Sequence, residues 1–291
     1  MPNSSMTAIS VPLSRPIEDR KADVLCKVSR ALGDPEAQPM LVGAFARDVW
    51  FWHLNGIETG RATEDIDISM AFPGWPDFRA FAEKLKASGF DQSDPECPEK
   101  LVDSATGQKI DLIPFGGVSE DGRTIIWHGN QAKWGILGFE DSYRSAAILP
   151  LDGGARFRLA TLPAIVTLKI MSFYERPEER KRKDGADIGF TLAHYGEIGN
   201  NRSRLAQGPD ADIMDQVGGD LQRASAALLG RDMARLAGAE TREEINRHLT
   251  AEISSHSKCP LTQELMRQTK GDFQRARNLL RDLQARYESV P

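Results

Sequence analysis

The hydrophobic period of the chain changes near residue 160, and this change constrains the fold more than any other feature. Before it, short strand-like runs alternate with helical segments and glycine or proline punctuation. A helix is expected near residues 17–32 and stops at Gly33. A strand over Met40–Val42 meets Gly43, and the helical "AFARDVWFWHLNG" follows. Next come the strand "DIDISMAF", a helix from Asp77 to Ser88 ended by Gly89, the strands "KLVD" and "KIDLIPF" flanking a turn-like "ATGQ", and the strand "ARFRLA". From Leu162 the period is helical almost throughout, from "LPAIVTLKIMSFYER" to "LTQELMRQTKGDFQRARNLLRDLQARY", with the polar "GEIGNNRSRLAQGPDAD" expected as a loop. The pattern predicts an α+β domain with a mixed β-sheet and flanking helices over residues 1–160, then a mainly helical C-terminal domain over 161–291. With 291 residues, 40% of them hydrophobic, the chain is long enough to bury both cores.

Several classes are excluded. No apolar run approaches the ~20 residues of a membrane span, so no membrane partner is expected. "MPNSSMTAISVPLSRP" has neither the basic nor the apolar region of a signal peptide, which makes a cytoplasmic location the expectation. Cys26, Cys97 and Cys259 lie far apart, which argues against a disulfide framework and a zinc site, and His53, His128, His194, His248 and His256 show no metal-ligand spacing. At a net charge of −5, nucleic acid would have to be held by a local patch.

Within "DIDISMAF", alternation puts Ile66 and Ile68 on one face and Asp65 and Asp67 on the other. Two carboxylates this close raise one another's pKa unless something positive intervenes, and a divalent cation such as Mg²⁺ suits oxygen ligands of this kind. Asp111 interrupts "KIDLIPF" in the same way. If the two strands pair, three carboxylates share a face, a set that suits two metal ions and in-line phosphoryl or nucleotidyl transfer. The competing reading is three exposed acids on the solvated face of a half-covered sheet.

Other candidates each carry two readings. The strand-to-Gly43-to-helix junction brings backbone N–H groups together for phosphate oxygens, or serves the turn alone. Arg47 either pairs with Asp48 or binds phosphate. Lys169 falls on the apolar stripe of Leu162, Ile165, Val166 and Phe173, so it reaches an anion in a cleft between the domains or snorkels to solvent. Asp184 and Asp187 lie on the polar side of a helix, where they face a site or favour the helix N-terminus. Arg180, Lys181, Arg182 and Lys183 form a solvated face or touch nucleic-acid phosphates. Trp50, Phe51 and Trp52 are adjacent on a helix and cannot all face one way.

Together, "LVGAFARDVWFWHLNGIETGRATEDIDISMAF" and "KIDLIPF" resemble the nucleotidyltransferase superfamily, and Gly43, Arg47 and Asp48 look like the opening of tRNA nucleotidyltransferases and poly(A) polymerases. "LPAIVTLKIMSFYERPEERKRKDGADIGFTLAHY" looks like the AbiEii/AbiGii-type nucleotidyltransferases, some of which are toxins of toxin–antitoxin pairs. The resemblance covers roughly residues 35 to 195. It implies a pyrophosphate-releasing transfer of NMP from an NTP to a hydroxyl of RNA, tRNA or protein, with two Mg²⁺ ions or Mn²⁺ in their place. An antitoxin protein would be the partner of a toxin. Asp65, Asp67 and Asp111 would be metal ligands, with Asp111 alternatively the base. Gly43, Ala44, Arg47, Lys169 and Asp187 would bind the nucleotide. Ala44 stands where the family usually has glycine or serine, so a hydroxyl contact to phosphate is lost while the backbone contact persists. The alternatives are an antibiotic nucleotidyltransferase and a catalytically silent binding or regulatory module.

Overall fold

The structure is a computed structural model that describes residues 10–33, 38–60, 63–255 and 259–290. Residues 1–9 of the N-terminal stretch, His256 and the Arg180 side chain lie outside this description. The chain divides into two compact units, residues 1–161 and 162–291.

The first unit is built on a seven-stranded mixed sheet. Its strands are β1 (Met40–Val42), β2 (Asp65–Phe72), β3 (Phe90–Gln92), β4 (Lys100–Asp103), β5 (Lys109–Gly116), β8 (Ala147–Pro150) and β9 (Arg156–Leu159), in the order β3-β4-β5-β2-β1-β9-β8. The pairs β2–β5 and β1–β9 are parallel and the other four are antiparallel. β6 (Thr124–Ile126) and β7 (Lys133–Gly135) form a separate hairpin. The helices are α1 (Asp19–Leu32), α2 (Gly43–Asp48), α3 (Trp75–Ala87) and α4 (Phe139–Ser145). α1 ends where Gly33 takes the left-handed conformation at φ 71°, the usual glycine stop.

Alternation along β2 and β5 sets what the sheet buries. Ile66, Ile68, Phe72, Ile110 and Leu112 are buried on one face, where α3 packs Phe78 and Phe81 against Phe72 with ring centroids 5.4 and 5.9 Å apart. The other face is open at the start of both strands. Farther along it, Phe115 is covered by Phe139 and Tyr143 of α4. α2 runs straight into a π-helical turn, Val49–Leu54, whose bulky side chains divide as their adjacency requires. Phe51 is fully buried, Trp52 is exposed beneath Arg15, and the Trp50 indole donates to the Ala160 carbonyl at 2.8 Å.

The second unit is helical, with α5 (Leu162–Glu175), α6 (Glu178–His194), α7 (Asn201–Gln207), α8 (Asp212–Gln216), α9 (Leu221–Leu236), α10 (Ala239–Ser254), α11 (Pro260–Gln268) and α12 (Phe273–Glu288). α9 and α12 approach so closely that a Cβ on Gly230 would stand 2.1 Å from the Leu283 carbonyl oxygen. Among the described residues no helix is long and apolar enough to cross a membrane.

Several expected boundaries move. The loop expected over residues 196–212 contains α7, which begins at Asn201, and "DIMDQVGGDLQRASAALLG" breaks at Gly218 and Gly219 into α8 and α9, with Asp220 capping the second. The last helical stretch breaks likewise at Gly271, before the Asp272 cap of α12. α6 begins at Glu178, so the basic run is its first turns. β3, β6, β7, β8 and α4 lie in stretches whose strand or helix period is too short to stand out.

Candidate active site

Register brings the three aspartates to one face. In the parallel β2–β5 ladder Asp67 lies opposite Asp111 and Asp65 opposite Lys109. Directly opposite residues share a face, with Cβ atoms about 5 Å apart. Gln108, itself buried, clamps the start of this ladder by donating from Nε2 to the carbonyls of Glu64 and Lys109.

Gly43 closes the site from the other side. Val42 lies opposite Asp67, and the next residue turns at φ 67°, a left-handed conformation that favours glycine. A Cβ at Gly43 would meet Asp67 Oδ2 at 1.9 Å, so only a bare backbone lets this carboxylate stand against the strand-to-helix turn. Ala44 follows within α2.

The electrostatics single out Asp111. Burial, then the charges of Asp67 and Asp65, push its carboxyl from the ordinary 3.8 up to about 7, while Lys100 pulls the other way. Among the described residues no three His, Cys, Asp or Glu side chains already close into a metal cage. The donor set nevertheless fits a hard divalent cation: carboxylate oxygens only, on one face of adjacent strands.

The second unit holds the other candidates. The Lys169 ammonium is 3.1 Å from Asp184 Oδ1 and 2.7 Å from Asp187 Oδ2, and the Arg176 guanidinium and Ser172 hydroxyl also donate to Asp184, at 3.1 and 3.2 Å. Burial works against the lysine's charge, but Asp187 and Asp184 outweigh it and hold its pKa above the ordinary value. Asp184 and Asp187 are 3% and 2% exposed, which corrects their expected place on a polar helix face. They lie past the first turn of α6, where the pull of the helix N-terminus has faded. In the basic run, Lys181 pairs with Glu178 at 2.9 Å, and Arg182 and Lys183 are exposed.

Arg47 is 2% exposed and its Nη2 is 2.5 Å from Asp48 Oδ1, so its guanidinium is engaged inside the protein. Two residues that sequence reasoning did not single out belong to the carboxylate face. Lys109 lies opposite Asp65, and Lys100 of β4 lies opposite Asp111. Folding "KLVD" back on "KIDLIPF" through "ATGQ" would have found Lys100.

No family model matches the chain, and no curated protein matches it. Among solved structures, the antibiotic-resistance factor ANT(2'')-Ia is similar at 12% identity over 69% of this chain and 100% of that one, with a TM-score of 0.37. Vibrio cholerae DncV cyclic AMP-GMP synthase is similar at 16% identity over 79% of this chain and 67% of that one, with a TM-score of 0.22.

Proposed function

We propose that the chain is a nucleotidyltransferase that moves an NMP group from an NTP to an acceptor hydroxyl and releases pyrophosphate. The observation that carries this reading is the row formed by the Gly43 turn, Asp67 and Asp111 on adjacent strands, with Asp65 one repeat away on the same face. Divalent cations, Mg²⁺ or Mn²⁺, held by Asp65, Asp67 and Asp111 supply when bound the positive charge that in-line phosphoryl transfer needs. Gly43 and the N–H groups after it receive the phosphates by backbone alone, since Ala44 offers no hydroxyl. Arg47 orients the α2 turn through Asp48. Lys169 and Asp187 act at one remove from substrate, by fixing α5 to α6.

The finer proposal follows the resemblance: an AbiEii-like enzyme acting on RNA or protein in the cytoplasm, as a toxin countered by an antitoxin. The test incubates the protein with Mg²⁺, each labelled NTP, and pools of RNA, protein and aminoglycosides, beside Asp67→Asn. Label should pass to one pool with the parent chain and fall at least ~100-fold with Asp67→Asn, as expected for losing a charge-stabilising group. Equal transfer by both proteins would refute the metal assignment. A binding or regulatory module, by contrast, would bind NTP and transfer nothing.

A further inference from the structure

Three of the chain's five tryptophans, Trp75, Trp127 and Trp134, gather in one cluster of the first unit. Trp75 opens α3, and the turn of the β6–β7 hairpin lays Trp127 against it and against Phe78, with ring centroids 5.3 and 5.5 Å apart. These rings cross at 63° and 67°, so the cluster presents ring face as well as ring edge instead of closing into a flat stack. Because α3 covers the Phe72 face of the sheet, the cluster and the aspartates lie on opposite sides of it.

A cavity of about 500 Å³ opens against Trp75, Phe78 and Trp127, with Arg79, Glu96 and His128 exposed at its rim. That is the size of a small-molecule site, and a cluster serving only to anchor the hairpin on α3 would pack shut. Two groups of the cavity have unmet chemistry. Trp127 is 1% exposed, and its Nε1–H has no acceptor among the described residues, although buried donors are nearly always satisfied. The indole turns easily about its second torsion, so a small rotation offers this N–H to an acceptor in the cavity. At the rim, Arg79 makes no hydrogen bond or ion pair with a described residue. Trp75, Phe78 and Arg79 stand at positions i, i+3 and i+4 of α3, which puts the guanidinium on the same side of the helix as the rings.

We propose that this cavity binds a small planar nitrogen heterocycle carrying an acidic group. The heterocycle lies against Trp75, Phe78 and Trp127, its ring nitrogen or carbonyl accepts from Trp127, and its acid meets Arg79. Glu96 at the same rim repels a second acidic arm. A quaternary ammonium, a common guest of aromatic walls, offers Trp127 no acceptor and is repelled by Arg79. Nucleotides and heteroaromatic carboxylates share the required chemistry, and the cavity takes such a ligand whether or not the aspartates transfer a nucleotide.

The test follows the tryptophan indole N–H resonances of the ¹⁵N-labelled full-length chain in metal-free buffer during titration with quinoline-6-carboxylate. The resonance lost in Trp127→Phe is that of Trp127, and it should move downfield and saturate. Naphthalene-2-carboxylate keeps the shape and charge but lacks the ring nitrogen, and should bind about tenfold more weakly. Calorimetry gives the same ratio on the unaltered chain, should Trp127→Phe fail to fold. Arg79→Gln, a change at an exposed position, should weaken quinoline-6-carboxylate about threefold to fivefold and leave uncharged quinoline unaffected. Adenosine 5′-monophosphate, read at the same resonance, separates the two sources: a saturable shift assigns a nucleotide, and silence assigns a heteroaromatic acid of another kind. The proposal is overturned if quinoline-6-carboxylate gives no saturable shift at Trp127, if naphthalene-2-carboxylate binds as tightly, if Arg79→Gln leaves the acid's affinity unchanged, or if tetramethylammonium binds in its place.

Discussion

Gly43 and Asp67 form the tightest constraint in the first unit, because one residue's missing side chain is the space the other's carboxylate occupies. Gly43→Ala adds an atom at 1.9 Å from Asp67 Oδ2 in a backbone conformation alanine resists, and should cost about 1–3 kcal/mol in chemical denaturation. It should also abolish Mg²⁺-dependent NTP binding. Asp111 carries a pH signature. Its folded pKa of about 7 lies above the ordinary 3.8, so the native state holds this proton more tightly than the unfolded chain. The metal-free protein is therefore favoured at low pH by this group and loses that stability as pH rises through the window from about 4 to 7. Asp111→Asn should remove the loss and, in the absence of metal, be more stable than wild type at pH 8 by about 2–4 kcal/mol. Melting curves at pH 5 and pH 8 check this, and a variant no more stable at pH 8 than at pH 5 relative to wild type would contradict it.

At the scale of elements, the Lys169 cluster locks α5 to α6. Lys169→Met leaves Asp184 and Asp187 buried without their shared cation, and should cost about 3–5 kcal/mol in urea unfolding. If the loss stays below about 1 kcal/mol, the lysine is not the lock. The elements also show what the sequence could and could not disclose. β2 was legible to the residue, because Ile66 and Ile68 alternate with two aspartates. The helical second half was legible in kind but not in its breaks, where paired glycines and Asp caps interrupt an otherwise continuous period. β3 and β6 carry too few alternations to be read, whereas the equally short β1 was legible because its run is wholly apolar and ends at Gly43. In the site, Asp65, Asp67 and Asp111 each stood out as a polar residue in an apolar run. Lys100 did not, because its meaning comes from its partner across the β4–β5 hairpin. Asp184 and Asp187 were misplaced on a polar face for a related reason, since their buried partner, Lys169, lies on another helix.

At the scale of the whole molecule, cation binding should register as stability. Mg²⁺ at tenfold over its dissociation constant adds about 1.4 kcal/mol, or roughly 3–5 °C in the melting midpoint of the unit that binds it. Asp67→Asn should show no such rise, and Ca²⁺ and Mn²⁺ titrations would rank the preference for small hard ions. The parallel register of β2 and β5 has one more consequence. Parallel neighbours are joined by a crossover, here residues 73–108, which passes through α3, β3 and β4 before returning. Asp67 and Asp111 are held opposite one another by ladder hydrogen bonds and the Gln108 clamp, and the chain length between them plays no part in that. Residues inserted at the exposed Asp121 and Gly122 turn, or in the exposed stretch around Pro95 and Glu96, leave the aspartates aligned. A single residue inserted between Lys109 and Asp111 turns that carboxylate into the hydrophobic interior. Related chains can therefore differ widely in the length of their loops while differing hardly at all in the spacing within these two strands.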